Sequence, residues 1–306
     1  MELTFTELIA GIIFTIFVIG MLILDMRIFQ RTAHFPSFKE ALLWSIFWIV
    51  LALIFNAGIW VFQSHQKALE FLTGYIVEKS LSVDNIFVFI VIFSYFGVKK
   101  EYQHKILFWG ILGAIIFRLL FIAAGAALIA TFHWIMYVFG AFLVLTAIKL
   151  AIKQDEQVHP EKNIILKIAK KIFPITQNVE GERFFVRING KLFATPLFLV
   201  LLVIESTDIV FAIDSIPAIF GITHDVFIIY TSNIFAILGL RALYFLIAGL
   251  MIRLKYLQTG LAFVLGFIGI KMLIADFYKI PTQYSLLVIF LILLTALIAS
   301  LPLEKK

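Results

Sequence analysis

Apolar runs of roughly 20 residues or more, parted by short polar stretches, fill most of the chain. Nine such runs can be marked, at about residues 5 to 24, 41 to 62, 68 to 96, 106 to 130, 133 to 152, 192 to 220, 226 to 250, 259 to 276 and 284 to 301. A hydrocarbon core about 30 Å thick is crossed by roughly 20 apolar residues in a helix. Inside lipid the backbone has no water to bond, so open sheets are excluded and helices are expected. The pattern therefore predicts an all-α, polytopic membrane helix bundle with about nine transmembrane helices. The first run has no basic region before it and no small-residue cleavage pattern after it, so it reads as an uncleaved first span.

Lys and Arg fall unevenly between the runs. With the N-terminus outside, the inner segments carry eighteen of them and the outer segments only Lys67 and Lys279. Positive residues mark the cytoplasmic side, so the expected topology is N-terminus out and C-terminus in. The net charge of +6 is then mostly an orientation signal, and no nucleic-acid partner is implied. Eight of the inner cations lie in residues 153 to 191, the one sizeable polar segment and a predicted cytoplasmic loop. Within it "KNIILKIAKKIF" puts Ile164, Ile165, Ile168 and Ile172 at helical spacing, with Lys167, Lys170 and Lys171 elsewhere on the turn. That pattern suits an amphipathic helix lying on an anionic leaflet of the bilayer. The next stretch, "RFFVRINGKLFAT", holds an Asn-Gly pair between apolar residues, a hairpin signal.

The chain also repeats itself. Residues 82 to 98, "SVDNIFVFIVIFSYFGV", align without gaps on residues 206 to 222, "STDIVFAIDSIPAIFGI", setting Asp84 against Asp208, Phe87 against Phe211 and Gly97 against Gly221. The following spans set "FRLLFIAAG" against "LRALYFLIAG", with Arg118 opposite Arg241, and "LTAIKLAI" against "FIGIKMLI", with Lys149 opposite Lys271. The Asp-to-Arg spacings are 34 and 33 and the Arg-to-Lys spacings 31 and 30. Two copies of a three-helix unit follow, at about 68–152 and 192–276, and the expected topology inverts one relative to the other. Inverted repeats characterise many secondary transporters, whose sites lie near the bilayer midplane on interrupted helices. Both leading spans are longer than a straight crossing needs, so tilt or a break is expected, with Ser80, Ser82, Ser206, Thr207, Ser215 and Pro217 able to accompany it.

These leading spans hold five acids, Glu78, Asp84, Glu205, Asp208 and Asp214. An ionised group at the bilayer centre costs about 2.5–3.5 kcal/mol even on the lenient insertion scale. The acids therefore either face a polar interior as cation ligands or pair with Lys79, Arg118, Lys149, Arg241 and Lys271 as scaffolding ion pairs. On one helix, Glu205 and Asp208 share a face, whereas Asp214 lies about 13.5 Å beyond Glu205 on the opposite side. The easier site to build uses Asp84, Asp208 and one or both Glu residues, with Asp214 further along the path.

Carboxylates, hydroxyls, Asn85 and freed carbonyls are hard oxygen donors, which suit Mg²⁺, Mn²⁺ or Ca²⁺. The chain has no cysteine, and its six histidines (His34, His65, His104, His133, His159 and His224) fall in loops or near span ends, which disfavours a softer zinc or copper site. Arg118 and Arg241 suit bidentate support of a carboxylate, which makes proton-for-cation exchange chemically reasonable. Asn56 and Asn233 are candidates for hydrogen bonds between helices. Metalloprotease, serine-hydrolase and intramembrane-protease motifs are absent from the sequence, so no enzyme is predicted, and no bound cofactor is implied.

The strings "TGYIVEKSLSVDNIFVFIVIFSYFGV", "ESTDIVFAIDSIPAIFGITHD" and "TSNIFAILGLRALYF" resemble the TerC/Alx family of integral membrane proteins, over about residues 20 to 300. The family is named for tellurite resistance. The resemblance implies a bacterial cytoplasmic (inner) membrane protein that exports Mn²⁺ as substrate, with Glu78, Asp84, Glu205, Asp208 and Asp214 matching the family's membrane acids. A rival reading is a non-transporting scaffold or stress-response partner, whose acids only hold the bundle together. It expects a charge swap, such as Asp208 with Arg241, to restore function.

Overall fold

A computed structural model of the protein describes residues 5–29, 36–132, 134–152, 163–176, 181, 183–188, 190–250 and 256–300. His34, His133, His159, Asn189 of the Asn-Gly pair and segment 153–162 lie outside these residues, as do the side chains of Ile164 and Lys170.

Helices occupy the apolar runs, shifted by a few residues at their ends. In order they are α1 (Phe5–Phe29), α2 (Phe38–Phe62), α3 (His65–Tyr95), α4 (Lys100–Thr131), α5 (Ile135–Ile152), α6 (Ile164–Ile172), then strands β1 (Phe185–Ile188) and β2 (Lys191–Ala194), then α7 (Pro196–Phe220), α8 (Val226–Leu238), α9 (Leu240–Leu250), α10 (Leu257–Leu273) and α11 (Thr282–Ser300). Short polar side chains set the starts: Ser64 Oγ accepts from the Lys67 N–H at 3.1 Å, and Asp225 Oδ1 from those of Phe227 and Ile228. α3 stops at Gly97, whose φ of +60° lets the Val98 N–H turn back to the Phe93 carbonyl.

By length and composition α2, α4, α5, α7, the α8–α9 pair and α11 are apolar enough to cross a membrane, and α1 and α10 are shorter apolar helices. α3 is 31 residues long but carries Glu78, Lys79 and Asp84 within it. This is a multi-pass helical membrane protein.

Of the tilt or break expected in the leading spans, the break is absent: α3 and α7 run uninterrupted. The hydroxyls that signalled it, on Ser80, Ser206 and Thr207, donate to carbonyls of the preceding turn on their own helix, each at 2.7 Å, and leave the helix whole. The interruption falls at Gly239, between α8 and α9. There Lys79 of α3 donates to the Ala236 carbonyl in the last turn of α8 at 3.1 Å, and a Cβ on Gly239 would lie 2.6 Å from the Lys79 Nζ.

Packing is tightest between small residues. α5 lies along α10 with Gly140 against Gly269, so that a Cβ on either would come within 3.0 Å of the other's carbonyl oxygen. α4 and α7 run parallel, with Gly110 on Ile204 and Gly125 on Phe220. α8 is the central helix, buried throughout Phe227–Leu238; α3 and α4 pack on it, and α1 and α2 lie outside it.

The segment between the two halves forms α6 and the β1–β2 hairpin, paired from Phe185↔Ala194 to Ile188↔Lys191. α6 is docked along α7 in the antiparallel sense. Asn163, its N-cap, donates to Ser206 Oγ at 2.6 Å, and Phe173 meets Phe198 at 5.8 Å. Leu166 and Ala169 are buried, whereas Ile165, Ile168 and Ile172 remain exposed.

Candidate functional site

One guanidinium gathers the acids. Arg118 projects from α4 and is 1% exposed. Its Nη1 donates to Glu78 Oε1 of α3 in a close ion pair. Nη2 and Nε donate to Asp208 Oδ1 and Oδ2 of α7 at 3.2 and 3.4 Å, the two-pronged fit that a planar guanidinium makes to a carboxylate. Nη1 also lies 3.3 Å from Asn233 Oδ1 of α8 and 3.4 Å from Ser215 Oγ of α7. Asp208 and Ser215, seven residues apart, share one face of α7 after two turns. Four helices thus meet on one side chain, and each charge removed from water has an opposite charge beside it.

Against this cluster lies a cavity of about 110 Å³, lined by Glu78, Asp84 and Asn85 of α3, Thr146 of α5, and Asp214 and Ser215 of α7, with Arg118 in its wall. Thr146 Oγ1 donates to Asp214 Oδ1 at 3.3 Å, and Lys149 lies within electrostatic reach of the same carboxylate. Glu78 Oε2 and Asn233 Nδ2 are buried without a hydrogen-bond partner among the described residues. Buried polar atoms are nearly always satisfied, so such atoms mark a place where water or an ion belongs. The volume has room for a cation with several waters.

The grouping differs from the one expected. Asp214 lines the same cavity as Glu78 and Asp84 instead of lying further along, because α7 packs against α3. Asp208 faces Arg118 rather than the cavity. Glu205 sits a turn before Asp208, its carboxylate filling the space where Gly113 of α4 has no side chain, and its Oε2 has no hydrogen-bond partner among the described residues. Among the described residues no three acidic or imidazole groups converge tightly enough to hold one ion.

The repeat-related cations part company. Arg241, which the scaffold reading paired with Asp208, lies 3.1 Å from His104 Nε2 and lines a separate cleft with Trp44 and Trp48. α9 begins one residue before Arg241, after the break at Gly239, whereas Arg118 sits within unbroken α4. Lys271 lines a different cavity at the far end of α10, near Glu70. Thr146 carried no chemical signal in the sequence beyond being polar in an apolar run, and Ser215 only that of a residue able to accompany a helix break. Asn233 did, as a candidate for bonding between helices, and it bonds to Arg118.

Fold and site together define a multi-pass helical membrane protein with a buried, ion-paired polar centre beside an acid-lined cavity. A profile of the Integral membrane protein TerC family matches residues 63–306, and the chain belongs to that family. It is 51% identical over 288 residues to the "Uncharacterized membrane protein STKORF319" of Myxococcus xanthus, covering 94% of this chain and 90% of the relative. It is 49% identical over 295 residues to the "Putative membrane-bound redox modulator Alx" of Salmonella typhi, covering 93% and 91%. The Escherichia coli K12 protein of the same name is 47% identical over 294 residues, covering 93% and 92%. No solved structure matches the chain.

Proposed function

We propose that the protein is a divalent cation transporter that exports Mn²⁺ from the cytoplasm across the bacterial inner membrane. The observation that carries this reading is the cavity itself: Glu78, Asp84 and Asp214 line it, and Glu78 holds a buried oxygen with no partner among the described residues. Ions such as Mg²⁺ take oxygen ligands and keep several waters, bound through only one or two carboxylates. That chemistry fits acids gathered around a space without closing on a point. The choice of Mn²⁺ over Mg²⁺ or Ca²⁺ rests on the family resemblance. The redox role in the relatives' name does not transfer as thiol chemistry, since the chain has no cysteine.

Nine crossings with the N-terminus outside, and two inverted three-helix units, belong to the same proposal. Helix contacts support the repeat. α3 packs on α8 as α7 packs on α4, and α5 packs on α10, so exchanging the two units leaves this contact set unchanged. The test is Mn²⁺ flux in proteoliposomes under an imposed pH gradient, with Mg²⁺ and Ca²⁺ as competitors, comparing wild type with Asp84→Asn. Flux that Asp84→Asn abolishes supports the reading, and its gradient dependence reports proton coupling; absence of flux from folded wild type sinks it.

The ion pairs of Arg118 with Glu78 and Asp208 favour a second reading, a scaffold held together by buried charges. The discriminating swap is Asp208→Arg with Arg118→Asp, which exchanges two groups that are in contact. A scaffold regains function with the swap; a transporter does not.

A further inference from the structure

A second cavity, of about 440 Å³, opens at the opposite end of the seam between α5, α7 and α10. Tyr137, His224, Lys271 and Asp276 line it, and Tyr137 donates to Asp276 Oδ2 at 2.5 Å. The same three helices carry the acid-lined cavity, through Thr146 of α5, Asp214 of α7 and Leu265 of α10. Between the two lies a plug of buried apolar side chains, Leu143, Ala218, Ile222, Ile268 and Met272.

At the plug's outer edge α7 ends on Gly221. A Cβ there would come within 2.6 Å of Ile268 Cγ2 and 2.8 Å of Met272 Sδ, whereas the φ of −69° is ordinary for any residue. Contact alone therefore requires glycine. The repeat-related position, Gly97 at the end of α3, has nothing within 4 Å among the described residues. In the register that matches Lys149 with Lys271, Ile268 and Met272 correspond to Thr146 and Leu150. Those two residues line the acid cavity instead of clasping Gly97. One end of the repeat is clasped and its counterpart is not.

We infer that the larger cavity is the release vestibule for a hydrated divalent cation, and that Gly221 seated on Ile268 and Met272 is the gate closing it in this state. The inference rests on the transport reading and its inverted repeat. The alternate state follows by exchange: α7 lifts from α10 at Gly221 while α3 closes toward Thr146 and Leu150. Rocking of one repeat against the other is the usual form of such a change.

The absence of cysteine in the chain allows a direct test. A single Ala218→Cys places a thiol beneath the gate, and a single Ala275→Cys places one in the vestibule. Each is exposed in proteoliposomes to a membrane-impermeant thiol reagent from the vestibule side, with Gly221→Ala and Met272→Ala as gate variants. The expected result is slow labelling at position 218 in the parent and a rise of about tenfold or more in both gate variants, as the open population grows, with position 275 labelled fast throughout. Unchanged protection of the thiol at 218 in both variants, with the one at 275 still labelled, overturns the gate. Mn²⁺ flux is read in the same vesicles. A labelling rise without any flux from the parent refutes the transport reading and with it the release vestibule, leaving only a closure at Gly221; flux without a labelling rise refutes the gate alone.

Discussion

Arg118 is the residue on which most of the buried charge depends. Arg118→Ala leaves Glu78 and Asp208 buried without their counter-charge, and removing one partner of a buried pair costs about 3–5 kcal/mol. The expected outcome is a lowered unfolding midpoint in detergent, recovered when Glu78→Gln and Asp208→Asn are added, because neutral groups need no counter-charge. That triple variant is still expected to carry no Mn²⁺, since it lacks the Glu78 carboxylate of the cavity. Asp214→Asn makes the complementary case: its carboxylate accepts from Thr146 and, among the described residues, meets no guanidinium, so flux is expected to fall while stability stays within about 1 kcal/mol of wild type. An equal loss of stability in both would return Asp214 to a scaffolding role.

Helix contacts respond on a different principle, the space between backbones. Gly269 meets the Gly140 carbonyl, whereas a Cβ on Gly266 would stand 3.5 Å from Ala147 Cβ, an ordinary van der Waals distance. Gly269→Leu is therefore expected to separate α5 from α10, at about 1–3 kcal/mol or more of overpacking, and Gly266→Ala to be tolerated. Thermal unfolding of the two variants side by side checks this. At α6, Asn163 accepts the Leu166 N–H and donates to Ser206. Asn163→Ala removes a cap worth about 1 kcal/mol together with the tie to α7, so faster proteolysis between residues 153 and 191 is the expected outcome, with the bundle itself intact.

For the molecule as a whole, the asymmetry of Lys and Arg is the quantity that sets orientation. Reporter fusions active only outside the cytoplasm are expected to be active after Gln63 and inactive within 153–162; the reverse pattern overturns the topology. The helical, multi-pass fold was legible because run length is a local property, readable without knowing any contact. α3 and α7 illustrate the limit. Their hydroxyls suggested interruptions, yet those groups bond their own helices, and the break came at a single glycine in α8–α9, where Lys79 needed room.

The class of protein, the positions of its helices, the acids in two of them and their repetition along the chain were all readable from the residues in order. Each follows from composition and spacing within continuous segments. Which acid meets which cation was settled only in three dimensions. Each residue turns a helix by about 100°, so a small difference in rotation or a break such as Gly239 sends Arg118 to Glu78 and Asp208 but its counterpart Arg241 to His104. The same geometry set Asp214 on the cavity that Asp84 lines and left Asp208 out of its lining, because partnership inside a membrane depends on how helices cross, and crossing is settled between segments far apart in the chain.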